Sequence, residues 1–217
     1  MGGLDYMIDR KKLSDALKKA LEDKGKKKFI QSVELIINVR GIDFAKSENR
    51  LNLDIQLPKG KGGKELKVAV IAEEAIANEA KKAGADLIIP PAQLPAWSTK
   101  EKLVELADNY MLLAQPNLMG QVAKSLGQYL GPRGKLPRPL VGNVTPLIAS
   151  AKKSIRIVSR GKYLPVAQAF VGTEAMSEED LLENIDTVYE AVKTKVSEPS
   201  IKSAYVKLTM GRPVRVL

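Results

Sequence analysis

Phe29 stands directly after three lysines, Lys26, Lys27 and Lys28. Three ammonium groups beside an aromatic ring can neutralise phosphate and stack a base. The same four residues also suit an ordinary solvated turn whose ring caps a core. A second basic group, Arg133, Lys135 and Arg138, is set among prolines and glycines in Gly131-Pro-Arg-Gly-Lys-Leu-Pro-Arg-Pro. Proline fixes φ and stiffens such a loop, either to offer cations to an RNA backbone or simply to end a helix and turn the chain. Near the C-terminus, Thr209-Met210-Gly211-Arg212-Pro213 pairs a hydroxyl suited to a ribose 2′-OH or a phosphate with a glycine that admits a closely approaching ligand. Taken alone, that segment reads more simply as a bulge ending strand pairing.

Catalysis has few residues to draw on. The 217-residue chain has no His and no Cys, which removes disulfides, zinc sites, thiol nucleophiles and histidine-based triads together. Gly134-Lys135 is followed by Leu136, and position 129, where a phosphate loop needs glycine, is Tyr129. Glu73-Glu74 and Glu178-Glu179 fall where first helical turns are expected, and acidic side chains suit the dipole there. No catalytic residue, metal or cofactor is expected. The charge balance of 35 basic against 25 acidic residues, net +10, favours a polyanionic partner, because cations on phosphates release counterions. The longest apolar runs, 68–72 and 111–114, are far short of the roughly 20 residues of a membrane span. No secretory signal opens the sequence, and the expectation is a soluble intracellular protein with no membrane partner.

The elements that must position these groups come in two styles. Leu13, Ala16, Leu17, Ala20 and Leu21 keep helical spacing behind Asp9, a plausible N-cap, with Gly25 as terminator. Val33, Leu35, Ile37 and Val39, then Leu51, Leu53, Ile55 and Leu57, alternate as strands of a sheet with one wet face. After the Gly- and Lys-rich stretch 59–64, read as a flexible linker, the pattern changes. Strands are expected at 67–72, 86–89 and 110–114, with helices over 73–83, from a Ser98/Glu101 capping box to Leu106, and from Pro116 onward. Strand alternating with helix builds a parallel sheet wrapped by helices. The first style returns with strands at 155–158 and 163–170, a helix over 177–196 and a last strand through Ala204, Val206 and Leu208. Two similar fragments around a different middle predict a discontinuous α+β domain, 1–66 plus 155–217, interrupted by an inserted α/β domain, 67–154. Paired hinges are expected near Lys64 and Ser154.

Three segments resemble the ribosomal protein L-one family along essentially the whole chain. They are Phe-x-x-Ser-Val-Glu-Leu at 29–35, Gly-x-x-Leu-Gly-Pro-Arg-Gly-Lys-Leu-Pro-x-Pro at 127–139 and Ser-x-Tyr-Val-x-x-Thr-Met-Gly at 203–211. The turn at Val39-Arg40-Gly41 has an archaeal look, and Arg212 interrupts the family's usual Thr-Met-Gly-Pro ending. The resemblance implies a split α+β domain joined by two hinge strands to an inserted three-layer α/β domain. It implies large-subunit rRNA binding at the mobile stalk beside the tRNA exit site. Phe29, Ser32, Ser203, Thr209, Met210 and Gly211 would form the recognition patch, supported by Lys27 and Lys28. Arg133, Lys135 and Arg138 remain a second RNA contact. Further implied partners are the chain's own operon mRNA, repressed in translation, and deacylated tRNA leaving the ribosome, with a free monomer in the cytoplasm. The rivals are a ribosome-assembly factor of the same fold, which would carry long charged tails, and an α/β enzyme for an anionic substrate.

Overall fold

The computed structural model describes residues 9–63, 67–159 and 164–217. In chain order the elements are α1 (Arg10–Leu21), β1 (Ser32–Val39), β2 (Asn52–Gln56), β3 (Lys67–Ile71), α2 (Glu74–Lys82), β4 (Leu87–Ile89), α3 (Lys100–Asn109) and β5 (Tyr110–Ala114). There follow α4 (Met119–Leu130), β6 (Arg138–Pro139), α5 (Val144–Lys153), β7 (Ser154–Val158), β8 (Val166–Thr173), α6 (Glu178–Val196), β9 (Ile201–Leu208) and β10 (Val214–Arg215). They gather into two units, a split one of Met1–Lys64 with Ser154–Leu217 and an inserted one of Glu65–Lys153.

In the split unit the strand order is β10-β9-β1-β8, antiparallel throughout. β1, from the amino-terminal fragment, lies between two strands of the carboxyl-terminal one. Leu35 faces Ala169 on one side and Val206 on the other. Strict alternation along β1 buries Val33, Leu35, Ile37 and Val39 against α1 and α6, where Leu13, Leu17, Ile185 and Val192 complete the core. Each such side chain contributes about 1.5–3 kcal/mol on leaving water. Ser32, Glu34, Ile36 and Asn38 alternate to the half-exposed side. β2 and β7 form a separate antiparallel pair, Ile55 opposite Ile155. Asp9 caps α1, its carboxylate accepting from Lys11 N–H at 3.0 Å. Ser177 caps α6, its hydroxyl accepting from Asp180 N–H at 3.1 Å, with acidic side chains in the first turn and lysines in the last.

The inserted unit is a parallel sheet ordered β4-β3-β5-β6. Period-two alternation splits its strand side chains between two cores. Ala69, Ile71, Leu112 and Ala114 pack under α3 and α4, while Val68, Val70 and Leu113 pack under α2 and α5. That makes three layers. The sheet's switch point lies between β3 and β5, where such folds hold nucleotides. Polar bridges span it here: Glu73 N–H donates to Gln115 Oε1 at 3.1 Å, and Asn117 Nδ2 to Glu73 Oε1 at 3.3 Å.

Several local expectations need correction. Ser98 does not cap α3; the helix starts after Thr99, and the Ser98 hydroxyl donates to the Leu94 and Ser125 carbonyls at 3.3 and 3.4 Å. The 3₁₀ run Pro91–Trp97 carries the chain into Ser98 and commits that hydroxyl backwards. α1 ends at Leu21, before Gly25, which closes the next turn at φ +74°. The start of stretch 59–64 is no free linker. Asn184 accepts from Lys59 N–H and donates to the Gly60 carbonyl, Thr173 donates to the Gly62 carbonyl, and Lys61 is buried. Lys64 lies outside the described residues, as does Tyr163, and β8 begins at Val166. Ser154 is the buried first residue of β7, opposite Gln56, and α5 runs into it with no residue between.

Candidate nucleic-acid interface

At one end of the β1–β9 pair, two loops are tied edge to edge. One runs from α1 to β1 and carries Lys26–Phe29; the other is the turn after β9, residues 208–211. Thr209 N–H donates to the Ser32 carbonyl at 3.0 Å, and Ser32 N–H donates to Thr209 Oγ1 at 3.0 Å. The Thr209 hydroxyl points back to the Ser32 carbonyl at 3.4 Å. It therefore works as a clamp extending the strand ladder. Met210 N–H donates to Gln31 Oε1 at 3.1 Å. Gly211 N–H donates to the Leu208 carbonyl, and a Cβ at Gly211 would stand 3.1 Å from Leu208 Cβ, so the tight turn favours glycine.

This lattice of bonds holds apolar side chains out in water. Phe29, Ile30 and Met210 are 49%, 55% and 64% exposed. Cations surround them. Lys27, Lys28 and Arg212 are exposed, and Lys207 Nζ donates to the Thr209 carbonyl at 3.1 Å. Lys26 is engaged with Asp23 at 2.6 Å, a bond that holds the Asp23 carboxyl below its ordinary value, with Arg212 and Lys27 near enough to lower it further. Chemically the arrangement offers an aromatic face, a thioether and exposed positive charges on a hydrogen-bonded base. Sugars and bases can pack on the first two, and phosphates can pair with the last.

The structure thus brings Lys27, Lys28, Phe29, Ser32, Thr209, Met210 and Gly211 together. It does not bring Ser203 with them. Ser203 is buried opposite Asn38 at the far end of the strands, roughly 20 Å from Thr209 along β9, and its hydroxyl accepts from Asn38 Nδ2 at 3.0 Å. Arg133, Lys135 and Arg138 belong to the inserted unit. Arg133 lies flat on the Tyr129 ring, 3.6 Å from its centroid, and donates to the Tyr129 carbonyl. Lys135 N–H closes the end of α4 on the Leu130 carbonyl, and Arg138 starts β6 beside Leu113. Sequence reasoning missed Ile30 and Arg212, although an apolar residue after Phe29 and a cation after Gly211 were visible signals. It also missed Glu174 and Gln31, whose pairing across 143 positions leaves no local pattern.

Comparison with known proteins places the chain among ribosomal proteins. The family model described as "Ribosomal protein L1p/L10e family" matches residues 17–212. The large ribosomal subunit protein uL1 of Pyrococcus abyssi is 40% identical over 215 residues, covering 96% of this chain and 97% of that one. The corresponding protein of Methanocella arvoryzae is 41% identical, covering 96% and 99%, and that of Thermofilum pendens 44%, covering 94% and 92%. The chain belongs to the ribosomal protein L1p/L10e family.

Proposed function

We propose that this protein is a constituent of the large ribosomal subunit, as its relatives are named, and binds large-subunit rRNA at the mobile stalk near the tRNA exit site. The observation that carries the reading is the end of the split unit, where Phe29 and Met210 stand exposed among cations on two hydrogen-bonded loops. A single exposed apolar side chain is ordinary, but several gathered on adjoining loops mark a surface that a partner covers. RNA suits this surface because an apolar centre meets sugar and base faces while lysines and Arg212 neutralise phosphate. The proposed contact set is Lys27, Lys28, Phe29, Met210 and Arg212, with Ser32, Thr209 and Gly211 shaping it. Ser203 lies outside this set, buried at the other end of the strands. The three cations of the inserted unit, Arg133, Lys135 and Arg138, are retained as a second RNA contact.

The same surface would serve for repression of the chain's own operon mRNA, if that transcript copies the rRNA shape. Assistance to departing deacylated tRNA, action at the cytoplasmic ribosome, a free monomer, and hinges near Lys64 and Ser154 complete the reading. Filter binding of a stalk rRNA fragment at fixed salt tests it. Met210→Asp, which puts a carboxylate against the RNA, should weaken binding at least tenfold, an effect of about 1.4 kcal/mol. Unchanged affinity would refute the placement of the interface. A DNA duplex of equal length should bind far more weakly across the salt series.

A further inference from the structure

Beneath the exposed residues lies a carboxylate that sequence gave no reason to single out. Glu174, only 6% exposed, sits between β8 and α6. Its Oε1 accepts from Gln31 N–H at 3.1 Å, and its Oε2 accepts from Gln31 Nε2 at 3.2 Å and from Gly25 N–H at 3.4 Å. Its own N–H donates to the Gln31 carbonyl at 3.0 Å. Gln31 is fully buried, and its amide also donates to the Asp23 carbonyl at 3.3 Å. Its remaining atom, Oε1, accepts from Met210 N–H.

We infer that Glu174, acting through Gln31, is a positioning residue that sets the Met210 turn and the lysine-bearing loop in register with each other. This rests on the RNA-interface reading above. The physical reason is polarity. A carboxylate and a carbonyl only accept, so the Gln31 amide must turn its nitrogen toward Glu174 and Asp23 and its oxygen toward Met210. A reversed amide would set oxygen against two acceptors and nitrogen against the Met210 N–H, a donor. The acidic group thereby fixes which way Gln31 faces, and Gln31 fixes where the Met210 backbone sits. The same carboxylate holds Gly25, at the root of the Lys26–Phe29 segment. One buried group governs both halves of the exposed surface and touches no ligand itself.

The test compares the wild-type chain, Glu174→Gln, Gln31→Glu, the double variant and a Met210→Asp control. The probe is a stalk rRNA fragment, titrated across a salt series below every variant's melting temperature. Glu174→Gln keeps the shape but loses the polarity that orients the amide. It should bind roughly tenfold more weakly, the scale of one buried charge-assisted hydrogen bond, with an unchanged salt slope. Gln31→Glu sets carboxylate against carboxylate and should bind more weakly still. The double variant restores a donor opposite an acceptor and should regain most of that second loss. If both Glu174→Gln and the double variant bind within twofold of wild type while Met210→Asp is weakened, the pair has only a structural role and the inference falls. A reduced salt slope for Glu174→Gln would mean that a phosphate contact was lost, and overturns it equally. No effect of Met210→Asp would instead sink the interface reading itself.

Discussion

Replacing Thr209 by Val separates two roles that a hydroxyl at an RNA-binding surface can play. Valine keeps the β-branched shape and removes only the oxygen, which accepts from Ser32 N–H at 3.0 Å. The Ser32 carbonyl keeps a partner, because Thr209 N–H still reaches it at 3.0 Å. The deficit is thus one half-buried donor, worth about 1 kcal/mol once partial access to water is allowed for. At that size, exchange of the Ser32 amide with solvent deuterium should quicken about fivefold in the free protein. The urea midpoint of the split unit should fall in step, with its m-value unchanged. Both readouts are taken with no RNA present, which is what makes the experiment decisive. If Ser32 exchange and the midpoint stay at wild-type values while RNA affinity drops, the hydroxyl belongs to the ligand and does not clamp the two loops.

Other consequences follow from the same geometry. Arg212→Ala and Lys27→Ala should each lower the slope of log affinity against log salt by about 1, and a slope unchanged in both would remove these cations from the interface. Gly172→Ala should destabilise the split unit by about 1–3 kcal/mol in chemical denaturation, because its Cβ would meet Leu181 Cδ2 and Met176 Sδ at 2.6 Å; an unshifted midpoint would show that these neighbours yield freely. Burial first, and then the like charges of Glu190 and Glu183, raise the Asp186 carboxyl above its ordinary value against the pull of Arg10. A raised acid stabilises the fold while protonated and loses that contribution as pH rises through its folded value. Asp186→Asn should therefore raise the melting temperature at pH 7, with the gain fading in acid; a lowered melting temperature at pH 7 would reverse the assignment. Excising residues 65–153 and joining the ends should leave a folded, RNA-binding split unit, since Gln56 already lies opposite Ser154; a folded product without affinity would move the interface elsewhere.

What could be read in advance was whatever repeats along the chain. Val33, Leu35, Ile37 and Val39 alternate because one face of their sheet is covered, and a covered face leaves its period in the sequence. The apolar run at 68–72 likewise announced a strand packed on both sides, now seen divided between two cores. The exposed end residues were legible only as motif pieces, each ambiguous alone, because nothing local says that Gln31 will meet Met210. Ser203 shows how far a motif can spread: it shares one with Thr209, yet six residues along a strand carry it to the other end of the sheet. Ser98 was misjudged because a side chain that looks free to reach forward was satisfied at home, by the Leu94 carbonyl.

The central place of β1 also bears on how the chain is made. Its neighbours β8 and β9 begin at Val166 and Ile201, so this strand leaves the ribosome more than a hundred residues ahead of them. At roughly 5–20 residues per second that is a wait on the order of ten seconds or more, with both strand edges bare. The inserted unit, contiguous in sequence, can complete itself during the delay. Newborn chains crowded on a polysome would then be most prone to cross-chain association through Leu35, Ile36 and Ile37, until β8 and β9 emerge and cover both edges.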